Sequence, residues 1–221
     1  MFLEVMDLLT PEETLLLRGM FDRLTFVDGR ATNLHSKVKN NLQLDYEDPG
    51  YQQSSDLLHA AFMRSEEVQA FAFPKVIAPP LLTRYAPGMN YGAHSDAPFM
   101  KVGEQVLRSD LSSTVFLADP SSYEGGELSV QLGGRRLDFK LPAGGAVIYP
   151  STTLHEVKPV TSGERLVAIT FMESRVPDQF QRELLYQLND VAALEAFNIS
   201  WDSRTRLSYV AGALARMWGS N

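Results

Sequence analysis

The stretch KLPAGGAVIYPSTTLHEVKPVTSGERLVAITFME, Lys140 to Glu173, decides the fold. It holds the β-rich runs GAVIYP, HEVKPV and RLVAITFME, separated only by short turn phrases. No helical period intervenes. Working outward, the same texture begins at Lys75 with KVIAPPLLTRY and continues through STVFLAD, GELSVQL and RRLDFKL, punctuated by DPSSYEGG and LGG. Many short strands at this spacing, without helices between them, argue a sandwich or jelly roll rather than a parallel α/β sheet.

Helical patterns flank this β region. In TPEETLLLRGMF, Thr10 is placed to cap a helix, with Pro11 in its first turn and Glu13 three residues after the cap. That helix is expected to run from Pro11 to about Arg23. The Asp-Gly of FVDGRA reads as a tight hairpin turn, and SSDLLHAAFMRSEEVQAFAF as one or two helices. After Val176 a helical period returns in FQRELLYQLNDVAALEAF and in RTRLSYVAGALARMW. The expected plan is mainly β with flanking helices: N-terminal helices in 1–74, a core in 75–176 and a helical extension in 177–221.

The 221 residues are 44% hydrophobic, enough to bury a real core. Lys and Arg total 20 against 27 Asp and Glu, a net charge of −7. No basic stripe exists for a phosphate backbone to neutralise, so nucleic acid is not an expected partner. The chain has no cysteine, which excludes disulfides and thiolate metal sites and leaves nitrogen and oxygen as metal donors. The opening MFLEVMDLLTPEE has acidic residues where a signal peptide needs basic ones. No segment approaches the ~20 apolar residues of a membrane span. A cytoplasmic protein without membrane contact is expected.

Four histidines are present, and two fall in the β region. In RYAPGMNYGAHSDAPFM, His94 and Asp96 stand two apart, so a strand or a turn there can bring both to one point. By itself such a pair is more often a polar contact closing a turn. His155 supplies a third donor at the start of a strand, 61 residues later. Arg165 follows ten residues after it, at the head of the apolar run RLVAITF. Two imidazoles and one carboxylate hold ferrous iron and leave coordination positions open. A fixed, always-charged fork such as arginine suits the far carboxylate of a 2-oxo acid. Alone, Arg165 would read as a surface residue paired with Glu164. His59 reads as a half-buried helix residue, and His35, in the polar TNLHSKVKNN, as part of a surface loop.

The phrases VDGRAT, RYAPGMNYGAHSDAP, RSDLSSTVFLADPSSYEGGELSV, KLPAGGAVIYPSTTLHEVKPVTSGER and FQRELLYQLND resemble those of the PKHD-type hydroxylases. These are a bacterial branch of the iron- and 2-oxoglutarate-dependent dioxygenases, similar to prolyl hydroxylases. The resemblance covers nearly the whole chain. It implies a double-stranded β-helix, or jelly roll, and metal ligands at His94, Asp96 and His155. It further implies 2-oxoglutarate held by Arg165, and Fe(2+), O2 and L-ascorbate (vitamin C) as the other cofactors. Hydroxylation of an amino acid, a peptide or protein side chain, or a small metabolite would release succinate and CO2.

Tyr85 is a candidate for a hydrogen bond to the bound cosubstrate, while Tyr91 reads more simply as an aromatic filling the barrel. Where some relatives have a tyrosine on the next strand, this chain has Phe116, which leaves the hydroxyl partner of Arg165 open. The glycines before Glu127 are read as serving the backbone. Two alternatives stand beside the dioxygenase: a cupin-like metal enzyme that does not use 2-oxoglutarate, and a jelly-roll binding module without activity. DAPFMKVGEQVLRSD and the N-terminal loops are expected to line the substrate entrance. The helical tail is expected to pack on its own domain or to make a homodimer contact.

Overall fold

A computed structural model describes residues 1–32 and 37–220; His35 lies outside them. The chain opens with strand β1 (Leu3–Val5) and helix α1 (Pro11–Met20). The capping box forms as expected. The Glu13 N–H donates to the Thr10 hydroxyl at 3.2 Å, and the Thr10 N–H donates to the Glu13 carboxylate at 2.9 Å. The α-helix ends at Met20 rather than near Arg23: Phe21 keeps helical angles, but its N–H donates to the Arg18 carbonyl and the Arg23 and Leu24 N–H groups both donate to the Met20 carbonyl, closing a turn that buries the Phe21 ring, stacked on Phe26 at 5.1 Å.

Strands β2 (Phe26–Asp28), β3 (Lys39–Asn40) and β4 (Leu42–Leu44) come next. The Asp-Gly pair does not make a tight hairpin. The Asp28 carboxylate accepts from the Arg30 N–H at 2.9 Å, which folds Gly29–Thr32 into a 3-10 turn, and β2 pairs with the more distant β4. Lys39 and Asn40, expected in a surface loop, instead extend a sheet. Helices α2 (Gly50–Arg64) and α3 (Glu66–Ala72) then form, with His59 half-buried on α2 as expected.

The β region comprises β5 (Pro74–Ile77), β6 (Leu81–Tyr85), β7 (Asn90–His94), β8 (Phe99–Val102), β9 (Gln105–Arg108) and β10 (Leu111–Phe116). It continues with β11 (Glu124–Gly125), β12 (Leu128–Leu132), β13 (Arg135–Phe139), β14 (Ala146–Pro150), β15 (His155–Val157), β16 (Val160–Ser162) and β17 (Arg165–Ser174). Helices α4 (Gln179–Leu194) and α5 (Trp201–Trp218) follow. No helix among the described residues is long and apolar enough to cross a membrane.

Two antiparallel sheets face each other. The larger has eight strands, in order β1-β14-β10-β17-β6-β4-β2 with β5 also on β17, and the smaller runs β13-β12-β15-β7-β3. Side chains alternate along each strand, so the larger sheet feeds two cores. On its helix side Leu111, Val115, Ala168 and Met172 pack with Leu17, Met20, Leu58 and Phe62. On its inner side Phe116, Val147, Tyr149 and Val167 meet Leu128, Val130 and Val157 of the smaller sheet. The site lies in this second core, between the sheets.

Candidate active site

Strand pairing brings the ligand candidates together. His94 ends β7, His155 begins β15, and the two are direct Cα partners across that antiparallel pair. Asp96 lies two residues past the end of β7, where its N–H donates to the Ser151 carbonyl at 3.3 Å and turns its carboxylate inward. His94 Nε2 stands 3.8 Å from Asp96 Oδ1, and His155 Nε2 stands 3.7 Å from Asp96 Oδ2. One donor atom from each of the three residues lies within 4.8 Å of the others.

The backbone sets both imidazoles in the same state. His94 Nδ1 lies 2.8 Å from the Gly92 carbonyl and His155 Nδ1 lies 2.9 Å from the Thr153 carbonyl. A carbonyl only accepts, so each Nδ1 carries the proton and each Nε2 presents its lone pair to the shared point. Burial, followed by the nearby His155, lowers the pKa of His94, which favours the neutral ring that a metal requires. The Tyr91 ring stacks on the His94 imidazole at 3.7 Å with 17° between planes, and Tyr149 meets His155 edge-on at 5.1 Å. Tyr91 therefore does more than fill the barrel, since it fixes the plane of a candidate ligand.

Behind the carboxylate runs a chain of buried hydroxyls. Ser112 Oγ donates to Asp96 Oδ2 at 2.6 Å and lies 2.7 Å from Ser151 Oγ, which accepts from Ser109 Oγ at 2.8 Å. These serines were not singled out from the sequence. The phrases RSDLSS and YPST contain them, but nothing local says that β10 and β14 bring the two phrases side by side.

Arg165 is not at the surface. It begins β17 directly opposite Tyr85, the last residue of β6, and only 1% of it is exposed. Glu164, the partner expected for a surface arginine, pairs instead with Arg84 at 3.8 Å. The Arg165 guanidinium lies 4.9 Å over the Tyr85 ring and 5.8 Å over the Phe116 ring, and its Nε has no hydrogen-bond partner among the described residues. A buried guanidinium left with an unmet donor calls for an anion. Phe116 thus supplies a stacking face in place of a hydroxyl. Tyr85, Thr114 and Tyr149 offer hydroxyls in the same cavity. Burial raises the pKa of Tyr85 and of Tyr149, so both stay protonated as donors.

His94, Asp96, His155 and Arg165 line one pocket, with about 460 Å³ of empty space when the part open to solvent is included. Lys39 also lines it, only 8% exposed, with its ammonium 5.7 Å from the Tyr91 ring centre. Its pKa is held down to about 8, chiefly by burial, with Asp28 and Asp96 opposing. His59, on α2, is outside the cluster.

Three converging donors from two histidines and one aspartate, a buried arginine with an unmet donor and a cavity joining them fit iron and a dicarboxylate cosubstrate. Comparison with known proteins agrees. Residues 80–173 match the 2OG-Fe(II) oxygenase superfamily. A PKHD-type hydroxylase of Sphingopyxis alaskensis is 52% identical over 202 residues, covering 91% of this chain and 92% of that protein. The chain belongs to the PKHD-type hydroxylases. A second such hydroxylase, from Thermosynechococcus vestitus, is 42% identical over 193 residues, covering 86% of each chain. The fold is that of a Pseudomonas putida prolyl-4-hydroxylase, with TM-score 0.55 at 20% identity, covering 79% of this chain and 92% of that one. The chain is thus an iron- and 2-oxoglutarate-dependent dioxygenase of jelly-roll fold. Fe(2+), 2-oxoglutarate and O2 are its cofactors, and ascorbate is typical of the family.

Proposed function

We propose that His94, Asp96 and His155 hold the ferrous ion through two Nε2 atoms and one carboxylate oxygen, and that Arg165 takes the distal carboxylate of 2-oxoglutarate. The observation that carries this reading is the meeting of the three donors within 4.8 Å in a cavity lined also by the buried Arg165. Iron supplies the oxygen chemistry when bound: 2-oxoglutarate, O2 and a substrate C–H yield succinate, CO2 and the corresponding alcohol. The chain's own residues orient the reactants. Ser112 steadies the Asp96 carboxylate, the Gly92 and Thr153 carbonyls hold the imidazole protons away from the metal position, and Tyr85 is the candidate hydroxyl at the cosubstrate.

In this reading the dioxygenase unit is 1–176 and 177–221 is a helical extension. The protein works in the cytoplasm on a small molecule or peptide, pairs with a second copy of itself, and engages neither nucleic acid nor membrane. Anaerobic titration of protein with ferrous iron and then 2-oxoglutarate tests the site. A visible charge-transfer band is expected for the parent and lost in Asp96→Ala, which also binds iron far more weakly. A band of full intensity in that variant overturns the ligand assignment.

A further inference from the structure

The α4–α5 hairpin carries more apolar surface than its own fold covers. One side of α4 faces the domain: Leu185 and Arg182 are buried, Arg182 donates to the Val176 carbonyl at 2.8 Å, and Tyr186 packs edge-on against Phe71 at 5.3 Å. On the other side Phe180, Leu184, Val191 and Leu194 are exposed. With Gln187 in the gap, that row advances by alternate steps of four and three, the spacing of a seam between helices. α5 packs on α4 and has no buried residue in eighteen. Its half-buried row is Leu207, Ala211, Leu214 and Trp218, and Tyr209, Val210 and Met217 stand exposed elsewhere. A helix with so little tertiary cover gains little of the packing that normally sustains one.

Charge identifies the occupant. The solvent-facing charges of α4 and its flanks are Asp178, Glu183, Asp190 and Glu195, all acidic, since Arg182 is buried. α5 carries Arg204, Arg206 and Arg216 against Asp202 alone. A two-fold axis that lays the outer face of α4 on α5 of a second copy sets acid against base, and symmetry makes the same match twice. Area agrees. Phe180, Phe197, Trp201 and Tyr209 are 68%, 99%, 77% and 77% exposed. At roughly 150–250 Å² per aromatic ring they present on the order of 600 Å², against about 800 Å² per partner in a standard interface. We propose that the α4–α5 hairpin is a self-complementary dimer surface, on which two copies of the chain form an antiparallel four-helix bundle with α4 of each on α5 of the other.

Sedimentation of the full chain at micromolar concentration tests this. A dimer mass is expected for the parent, and a twofold drop for Val191→Glu combined with Val210→Glu, with a cooperative melt and iron binding retained to show that each chain is still folded. Charge reversal tests the arrangement with the apolar seam intact. One chain carries Asp190→Arg and Glu195→Arg, and another carries Arg206→Glu and Arg216→Glu. Each alone should be monomeric, and their mixture should restore a dimer. A monomeric parent overturns the proposal, as does a dimer that survives the apolar double substitution. Reversed chains that dimerise alone and not preferentially with each other overturn the α4-on-α5 pairing. Neutral phospholipid vesicles give the remaining arm: a monomeric parent that binds them through this hairpin assigns the face to a lipid surface instead.

Discussion

The Ser112 hydroxyl donates to Asp96 Oδ2 at 2.6 Å, while the Ser151 hydroxyl, 2.7 Å away, anchors it in turn. The carboxylate thus keeps Oδ1 for a metal and has Oδ2 held from behind. Partners of this kind orient a ligand before the ion arrives, and their loss typically costs about 10–100-fold in metal affinity. Ser112→Ala should bind ferrous iron at least about tenfold more weakly, measured by anaerobic calorimetry, with the fold retained by circular dichroism. Equal affinity would show that the serine only fills space.

Arg165 is expected to decide between 2-oxo acids. Charged hydrogen bonds contribute roughly 1.5–3 kcal/mol each, so Arg165→Ala should bind 2-oxoglutarate at least about tenfold more weakly. Arg165→Lys should fall between, keeping charge without the fork. Pyruvate, which has no distal carboxylate, should be affected little, and iron binding should survive in both variants. Titration of each variant with both acids, read by the charge-transfer band, checks this. Unchanged 2-oxoglutarate binding by the alanine variant refutes the assignment.

Gly126 supports that arginine through the backbone. Its φ is +66°, and a Cβ there would lie 3.0 Å from Val160 Cγ2 and 3.1 Å from both Arg165 Cδ and Tyr123 Cε2. The left-handed conformation costs a non-glycine residue roughly 1–2 kcal/mol before any clash. Gly126→Ala should therefore melt earlier and bind 2-oxoglutarate more weakly, with iron affinity close to the parent's. Thermal melts beside the same titrations separate the two effects. A variant weakened for iron alone contradicts this placement.

Glu173 should make stability fall in acid. Burial pushes its carboxyl pKa up, but the Arg108 N–H at 3.1 Å and Lys75 at 3.3 Å outweigh that and hold it below its ordinary 4.5. A carboxyl whose pKa is lower folded than unfolded stabilises fully above the unfolded value, and loses that contribution as pH falls through the folded one. The parent's melting temperature should drop below pH 4.5 more steeply than that of Glu173→Gln, which should be the less stable of the two at neutral pH. Parallel melting curves across that range would rule the carboxylate out.

The class of fold was legible in the sequence, and four candidate site residues stood out beside it. Short apolar runs between turn phrases can satisfy their backbone only by antiparallel pairing, and that pattern is local. His94, Asp96, His155 and Arg165 stood out as candidates because their types and order resemble those of a known family and because cysteine is absent. Tertiary structure decided what those residues touch. The register of β7 on β15 sets His94 against His155, β6 on β17 sets Tyr85 against Arg165, and β10 beside β14 assembles the Ser109–Ser151–Ser112 chain. Each joins segments tens of residues apart, and no local propensity encodes which strand neighbours which. Lys39 shows the same limit. In a polar, lysine-rich stretch it reads as solvated, yet pairing of β3 with β7 buries it in the cavity. The Asp28–Gly29 turn went the other way, because a carboxylate-to-Arg30 contact outcompeted the hairpin that the dipeptide ordinarily favours.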